Sequence, residues 1–278
     1  DLVIAVGVDP VEHPPANWNR ADLDVIHVAE WPARLGVDYL PRVEVVGNLR
    51  DALEQLGSRV SDDVPRRDRA VVAARRDQQR AALDHEPTRL EAGADSGLAP
   101  IDVVEAVADD VDPDGIVALD NGAYKLWFAR HHPTRRRHGL LLDNALATMG
   151  AGLAIGTEAA RLERETPVVA VVGDGGFLMN VGDLETAVRH DCRNLTAVVL
   201  RDDAYGFIVD HQKERGRAET AVRLGNPDVV RLAESFGCRS LRATSRRELV
   251  EALDVCRRHA GVSVVDVPLD ARHHELLR

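Results

Sequence analysis

The sequence predicts an α/β fold: a doubly wound, mostly parallel sheet over residues 99–278, preceded by a smaller, partial α/β unit over residues 1–60. Three observations carry this. From Pro100 onward, apolar strand-like runs alternate with helical stretches. Three of those runs, GIVALD, PVVAVVGD and TAVVLRD, end on an aspartate: Asp120, Asp174 and Asp202. The middle run closes on Gly173-Asp174-Gly175, a turn that only glycine allows to be so tight.

Residues 1 to about 60 hold three strand-like runs, LVIAVGV, VIHVAE and VEVVG, then a helix that Asn48 is placed to cap. These are too few elements for a doubly wound sheet of their own. Residues 61–98, rich in Arg, Asp, Glu and Ala, read as a charged helical linker: a helix from about 66 to 84, then a connector carrying Pro87 and Gly93. Beyond it the expected order is helix IDVVEAVADDV, strand GIVALD, helix YKLWFAR, a long helix from about Asn144 to Arg164, and strand PVVAVVGD. Helix GDLETAVRH, strand TAVVLRD, helix PDVVRLAESFG, a short strand near SLRA, helix SRRELVEALDVCRRH and strand VSVVDVPL complete it. Neither internal repeats nor low-complexity tracts interrupt the pattern.

The 278 residues carry a formal charge of −11, which argues against general nucleic-acid binding. The run Arg135-Arg136-Arg137 is too short to alter that and reads as a solvated loop. Lysine occurs only at Lys125 and Lys213, and composition cannot separate a GC-rich genome from a salt-rich cytoplasm as the cause. Cys192, Cys238 and Cys256 lack CxxC spacing and read as buried thiols of a reducing compartment, so a cytoplasmic location is expected. No apolar run approaches the ~20 residues of a membrane span, and DLVIAVGVDP has neither the basic start nor the cleavage site of a secretory signal. The opening inside a strand, without an initiator methionine, leads to the expectation of a further upstream segment. The adjacent pairs His131-His132 and His273-His274 read as surface residues.

Parallel strand tips lie side by side, so Asp174 and Asp202 are expected to converge. Beside a glycine turn with free amides, that suits a divalent cation bridging a diphosphate. An ordinary βαβ unit with solvated carboxylates would show the same residues. Met149, in Ala147-Thr148-Met149-Gly150, reads by itself as a core methionine. Phe207 fits core packing as well as a pocket. His211 and Gln212 follow Asp202 closely enough to face a substrate.

The Gly173-Asp174-Gly175 turn, with twenty-six residues between Gly175 and Asp202, resembles the signature of the thiamine diphosphate enzymes. The family more often has Asn at the second position; Asp202 adds negative charge and lowers the expected cofactor affinity or makes it more dependent on metal. The resemblance implies Mg2+ held by Asp174, Asp202 and the Ala204 carbonyl, with Gly173, Gly175 and Gly176 around the diphosphate. It also implies that Met149 wedges between the two cofactor rings, while the Ala147 carbonyl meets the 4′-amino group. Asp120-Asn121-Gly122-Ala123-Tyr124 looks like the family's Asp-x-Gly-x-His loop, with Tyr124 in place of His, so that Gly122 and Ala123 act by backbone. A loop without a ligand role fits those residues too. Tyr205, Gly206 and Phe207 would shape the cofactor pocket.

Within the family the chain is most similar to acetolactate synthases of the catabolic, FAD-independent type. GVDPVEHPPANWN and IHVAEWPARLGVDYLPRVEVVGNLRDAL look like part of their middle domain, and GDGGFLMN through DDAYGFI and VVRLAESFG like their diphosphate-binding domain. The resemblance implies decarboxylation of pyruvate and its ligation to a second 2-keto acid, in a homodimer or homotetramer, without FAD. It also implies an activating glutamate on a pyrimidine-binding domain that no part of this chain resembles, so the chain alone is expected to be an inactive fragment or one half of a two-chain enzyme. Another thiamine diphosphate-dependent decarboxylase or carboligase, or a non-catalytic anion-binding module, are the competing expectations.

Overall fold

The computed structural model describes residues 2–8, 15–19, 22–34, 39–60, 69–84, 88–90, 97–111, 113–144 and 146–277. Pro87 and Gly93 of the connector, the start of the charged helix and residues 9–14 within GVDPVEHPPANWN lie outside the described residues. Chain contacts divide the molecule into residues 1–79 and residues 80–278.

In the first unit the three predicted strands form β1 (Leu2–Val6), β2 (Asp24–Ala29) and β3 (Val43–Val46), a parallel sheet in the order β1-β2-β3. A short helix α1 (Pro15–Trp18) falls between β1 and β2. Helix α2 (Leu49–Arg59) starts where the sequence places it, because the Asn48 side chain accepts the Asp51 N–H at 3.2 Å. The charged helix α3 (Arg69–Asp84) follows.

The second unit holds α4 (Pro100–Val111), β4 (Ile116–Leu119), α5 (Tyr124–His131), β5 (Leu140–Leu142) and α6 (Ala151–Leu162). Next come β6 (Val168–Gly173), α7 (Asp174–Met179), α8 (Asp183–Arg189), β7 (Leu195–Arg201), α9 (Gly206–Glu214) and α10 (Val229–Ser235). β8 (Arg239–Arg242), α11 (Arg246–Arg257), β9 (Ser263–Pro268) and a 3-10 turn (Ala271–Leu277) complete it. The strands form one six-stranded parallel sheet in the order β5-β4-β6-β7-β9-β8. Leu98, just before α4, is stitched to the end of β9: its N–H donates to Pro268 O and its carbonyl accepts from Asp270 N.

Alternate residues of each strand feed opposite layers. Val169, Val171, Val198, Leu200, Val265 and Val267 pack under α4, α5 and α11 with Trp127 and Phe128. Val168, Ala170, Val172, Ala197, Val199 and Val264 face Leu153, Phe177, Leu184 and Ala233 of α6, α7, α8 and α10. Both sheet faces are therefore dry, which is why the strands read as unbroken apolar runs. Asp228 caps α10, accepting from Val230 and Arg231, and Ser245 caps α11, accepting from Glu248.

Four expectations change. The long helix begins at Ala151 rather than near Asn144, because the Asp143 carboxylate takes the N–H groups of Leu146 and Thr148, while Ala147 (φ 49°) and Gly150 (φ 89°) are left-handed. A strand, β5, stands where none was expected; it is three residues long on the sheet edge. Arg135 and Arg137 are exposed, but Arg136 lies half-buried against Glu163 at 2.9 Å. His273 and His274 are buried, not on the surface: His273 Nε2 accepts the Leu90 N–H at 3.1 Å, and His274 Nδ1 accepts from the Trp127 indole at 3.3 Å. Burial pushes His274 down to about 4, so the indole meets a neutral ring. The three cysteines are free and buried, as expected. Among the described residues no helix is long and apolar enough to cross a membrane.

Helix α6 lies unusually close to the sheet, since a Cβ on Gly156 would stand 2.8 Å from Ala170 Cβ and 3.4 Å from Ala118 Cβ. Gly156→Val must push the helix outward and is expected to cost about 1–3 kcal/mol by overpacking. Urea unfolding checks this; a midpoint equal to that of the parent contradicts the packing described.

Candidate functional site

The strand order reverses between β4 and β6: the chain leaves β4 for β5 on one side and returns across it to β6 on the other. In open parallel sheets a ligand crevice opens outside the carboxyl ends of strands at such a reversal. Asp120 follows β4, Asp174 follows β6, and Asp202 follows β7. Because Gly173 is paired with Leu200, Asp174 and Asp202 emerge from adjacent strand tips within one residue of the same level.

Asp120 is fully buried and turned inward. Its Oδ2 accepts the Gly150 N–H at 3.0 Å and its Oδ1 the Gly152 N–H at 3.2 Å. A Cβ on Gly176 would overlap Asp120 Oδ2, and one on Gly152 would fall 2.6 Å from Asp120 Cβ, so both neighbours must be glycine. Burial raises the pKa of this carboxyl, and the amides of Gly150 and Gly152 partly offset that. Asp120 is thereby the anchor of the segment 147–152.

The same segment is held elsewhere. Asn121 Nδ2 donates to Thr148 O at 3.0 Å, Asn180 Nδ2 to Gly150 O at 3.2 Å, and Asp143 takes two N–H groups from the front. Ala147 is exposed in a left-handed conformation that an alanine seldom adopts, and such strain persists only where the surroundings impose it. Met149 is half-buried, with its Cε 3.2 Å from where a Cβ on Gly175 would be. The Tyr205 ring would stand 2.6 Å from that same Cβ, so Gly175 opens a narrow floor between Met149 and Tyr205.

Tyr124 has a position that the sequence did not reveal. Its ring is buried and its hydroxyl accepts the Gly173 N–H at 2.7 Å. A side chain at Gly122 would overlap the ring, and one at Gly173 would come within 3.0 Å of it. Burial, then the charge of Asp120, raises this phenol well above the ordinary tyrosine range, so it stays neutral and supports the end of β6 from beneath. Ala123 is buried beside it.

Three carboxylates meet above these supports. Asp174 is 2% exposed; its Oδ1 accepts from Gly175 N at 2.8 Å, and its Oδ2 from Asp203 N at 2.9 Å and Asn226 Nδ2 at 2.7 Å. Asp202 Oδ1 accepts from Ala204 N at 3.3 Å, and its Oδ2 lies 3.1 Å from where a Cβ on Gly206 would be. Burial, then the charge of Asp174, pushes Asp202 up to about 7. Asp174 is raised too, mainly by burial. Arg201 does not relieve them: it pairs with Asp266 at 2.9 Å and Asp203 at 3.4 Å. The segment Asp203–Tyr205 is fixed by a bridge to Arg223, in which Tyr205 N donates to Val222 O and Leu224 N to Asp203 O. That bridge leaves the Ala204 carbonyl out of its bonds.

Sequence reasoning missed Asp203 and Asn226. Asp203 stood beside Asp202 in plain sight, whereas Asn226 makes its contact from 52 residues away and only an Asn-Pro turn signal marked its position. Of the remaining candidates, Phe207 is 40% exposed, which places it outside the core, and His211 is exposed. Gln212 closes its own loop, bonding Thr220 N at 2.9 Å and Thr220 O at 3.1 Å. Among the described residues no group of three or more His, Cys, Asp or Glu side chains is arranged to hold a metal ion. A cation here would have two carboxylates and would take its other oxygens from backbone, ligand and water. The residues fit that role, because buried Asp174 and half-buried Asp202 stand side by side with no ion-pair partner among the described residues, and a cation eases two such like charges.

Residues 120–267 match the family model described as "Thiamine pyrophosphate enzyme, C-terminal TPP binding domain". The catabolic acetolactate synthase of Raoultella terrigena is 31% identical over 278 residues, all of this chain and 49% of that protein. The acetolactate synthase of Bacillus subtilis (strain 168) is 29% identical over 273 residues, 97% of this chain and 47% of that protein. This chain thus spans about half the length of these curated relatives. Among solved structures, the thiamine diphosphate-dependent 4-hydroxybenzoylformate decarboxylase of Rhodococcus jostii RHA1 superposes with a TM-score of 0.73 at 18% identity, over 97% of this chain and 49% of that one, a likeness of fold.

Two outcomes follow from the geometry. Tyr124→Phe leaves the Gly173 N–H without its acceptor and is expected to lower stability by about 1–3 kcal/mol in urea titrations; an unchanged midpoint contradicts the bond. Asp202 binds its proton more tightly folded, at about 7, than unfolded, at about 3.9. Its contribution is therefore greatest below about pH 4 and is lost as pH rises toward about 7. Asp202→Asn should remove that part of the fall in stability of the ligand-free protein between pH 4 and 8. Parallel pH profiles for parent and variant contradict it.

Proposed function

Because the chain belongs to the thiamine pyrophosphate enzymes, through their C-terminal cofactor-binding domain, we propose that residues 99–278 hold the diphosphate end of thiamine diphosphate on Mg2+ and serve an acetolactate synthase. The observation that carries the reading is the pair Asp174 and Asp202, set at adjacent strand tips beside the sheet's reversal point, with Asp202 held at about 7 by burial and its partner's charge. Asp174, Asp202 and the Ala204 carbonyl are the cation's ligands from this chain. Gly173, Gly175 and Gly176 give the diphosphate backbone to approach, and Gly122 and Ala123 close the neighbouring side.

Bound thiamine diphosphate supplies the carbon nucleophile that takes a 2-keto acid through decarboxylation. This chain's residues position it. Met149, whose Cε lies next to Gly175, would wedge between the two rings of the bound cofactor. The Ala147 carbonyl, in a left-handed turn, would meet the aminopyrimidine of the bound cofactor. Tyr205, Gly206 and Phe207 form the wall next to the cation, and Tyr124 acts through Gly173 rather than on the phosphates. No residue of this chain is assigned to proton transfer. The activating glutamate belongs to a pyrimidine-binding domain supplied from outside these residues, which accords with relatives of twice the length. Pyruvate is the substrate, acetolactate the product, a cytoplasmic homodimer or homotetramer the working form, and FAD is not required.

Calorimetry with thiamine diphosphate and Mg2+ tests the binding half. The parent should bind only with the metal, and Asp174→Ala should weaken binding by more than about tenfold; equal binding by both removes the site. Acetolactate formed from pyruvate by the enzyme with its pyrimidine-binding domain tests the activity, and aldehyde as the product contradicts it.

A further inference from the structure

We propose that Asn226 is a positioning residue for Asp174, selecting which carboxylate oxygen faces the cation. This rests on the reading of Asp174 and Asp202 as a cation clamp. Asn226 Nδ2 lies 2.7 Å from Asp174 Oδ2 and 2.7 Å from Asp203 Oδ1, so one amide group joins two carboxylates. The direction of the amide is settled by chemistry, since its oxygen would be repelled by both.

A carboxylate accepts about four hydrogen bonds, two on each oxygen. Asp174 Oδ2 already receives two, from Asn226 and from Asp203 N, whereas Oδ1 receives one, from Gly175 N. The remaining lone pair is on Oδ1, which makes Oδ1 the oxygen offered to a metal. Without Asn226 the distinction between the two oxygens is lost and the carboxylate is freer to turn.

The other end of the amide is equally informative. Asn226 Oδ1 is buried and has no hydrogen-bond partner among the described residues. The amide is therefore committed through Nδ2 alone, to the two carboxylates. The residue is also held firmly: its segment is bridged to Asp203–Tyr205 through Leu224 and Val222, and Thr220 is tied to Gln212 by two bonds.

The test is thiamine diphosphate binding to the 278-residue chain by calorimetry across a Mg2+ series, with thermal unfolding of the ligand-free protein alongside. Asn226→Ala and the similarly sized Asn226→Leu should each raise the Mg2+ concentration for half-saturation by about 10–100-fold, the effect of losing an outer-shell partner. Ligand-free unfolding temperatures should stay near that of the parent. An unchanged Mg2+ requirement overturns the proposal, and so does a ligand-free chain that unfolds when Asn226 is replaced, since the residue is then structural. Failure of the parent itself to bind removes the cofactor reading, and this proposal with it.

Discussion

Two carboxylates brought together at the tips of adjacent parallel strands repel each other, and among the described residues no basic side chain pairs with them. Arg201, the nearest candidate by sequence, is engaged with Asp266 and Asp203 instead. Burial first, and then the charge of Asp174, lets Asp202 hold its proton to about 7. Under the proposed function such a conflict is useful, because a divalent cation would convert the repelling pair into a chelate. The rest of the second unit can be understood as the scaffold that keeps this pair in place.

That scaffold is built from close approaches rather than from mass. Gly122 and Gly173 make room for the Tyr124 ring, whose hydroxyl fixes the last amide of β6. Gly152 and Gly176 make room for Asp120, whose carboxylate fixes the start of α6. Each polar anchor is buried and each is fed by backbone N–H groups, so the loops it holds have little freedom to drift. The consequence is that the loops around the two carboxylates are held in place by the chain's own hydrogen bonds. The exposed, strained Ala147 and the half-buried Met149 belong to one of these loops.

Much of this was legible in the sequence. Strands buried on both faces leave long apolar runs, and β4, β6, β7 and β9 fall where GIVALD, PVVAVVGD, TAVVLRD and VSVVDVPL stand. The capping residue Asn48 marks the start of α2 by local chemistry. The start of α6 was misplaced because Asp143 and the left-handed Ala147 break a stretch whose composition suits a helix. Strand β5 escaped because three leucines behind an arginine run show no period. His273 and His274 were misread because their partners, Leu90 and Trp127, are remote in sequence, and Asn226 for the same reason. Local signals were readable; long-range polar contacts were not.

The most direct measurement of the central claim is a crystal structure of this chain with thiamine diphosphate and Mg2+. The account predicts the ion at about 2.0–2.1 Å from Asp174 Oδ1, an Asp202 oxygen and the Ala204 carbonyl, and bridging two diphosphate oxygens. A diphosphate bound elsewhere, or an ion that touches neither carboxylate, would contradict it.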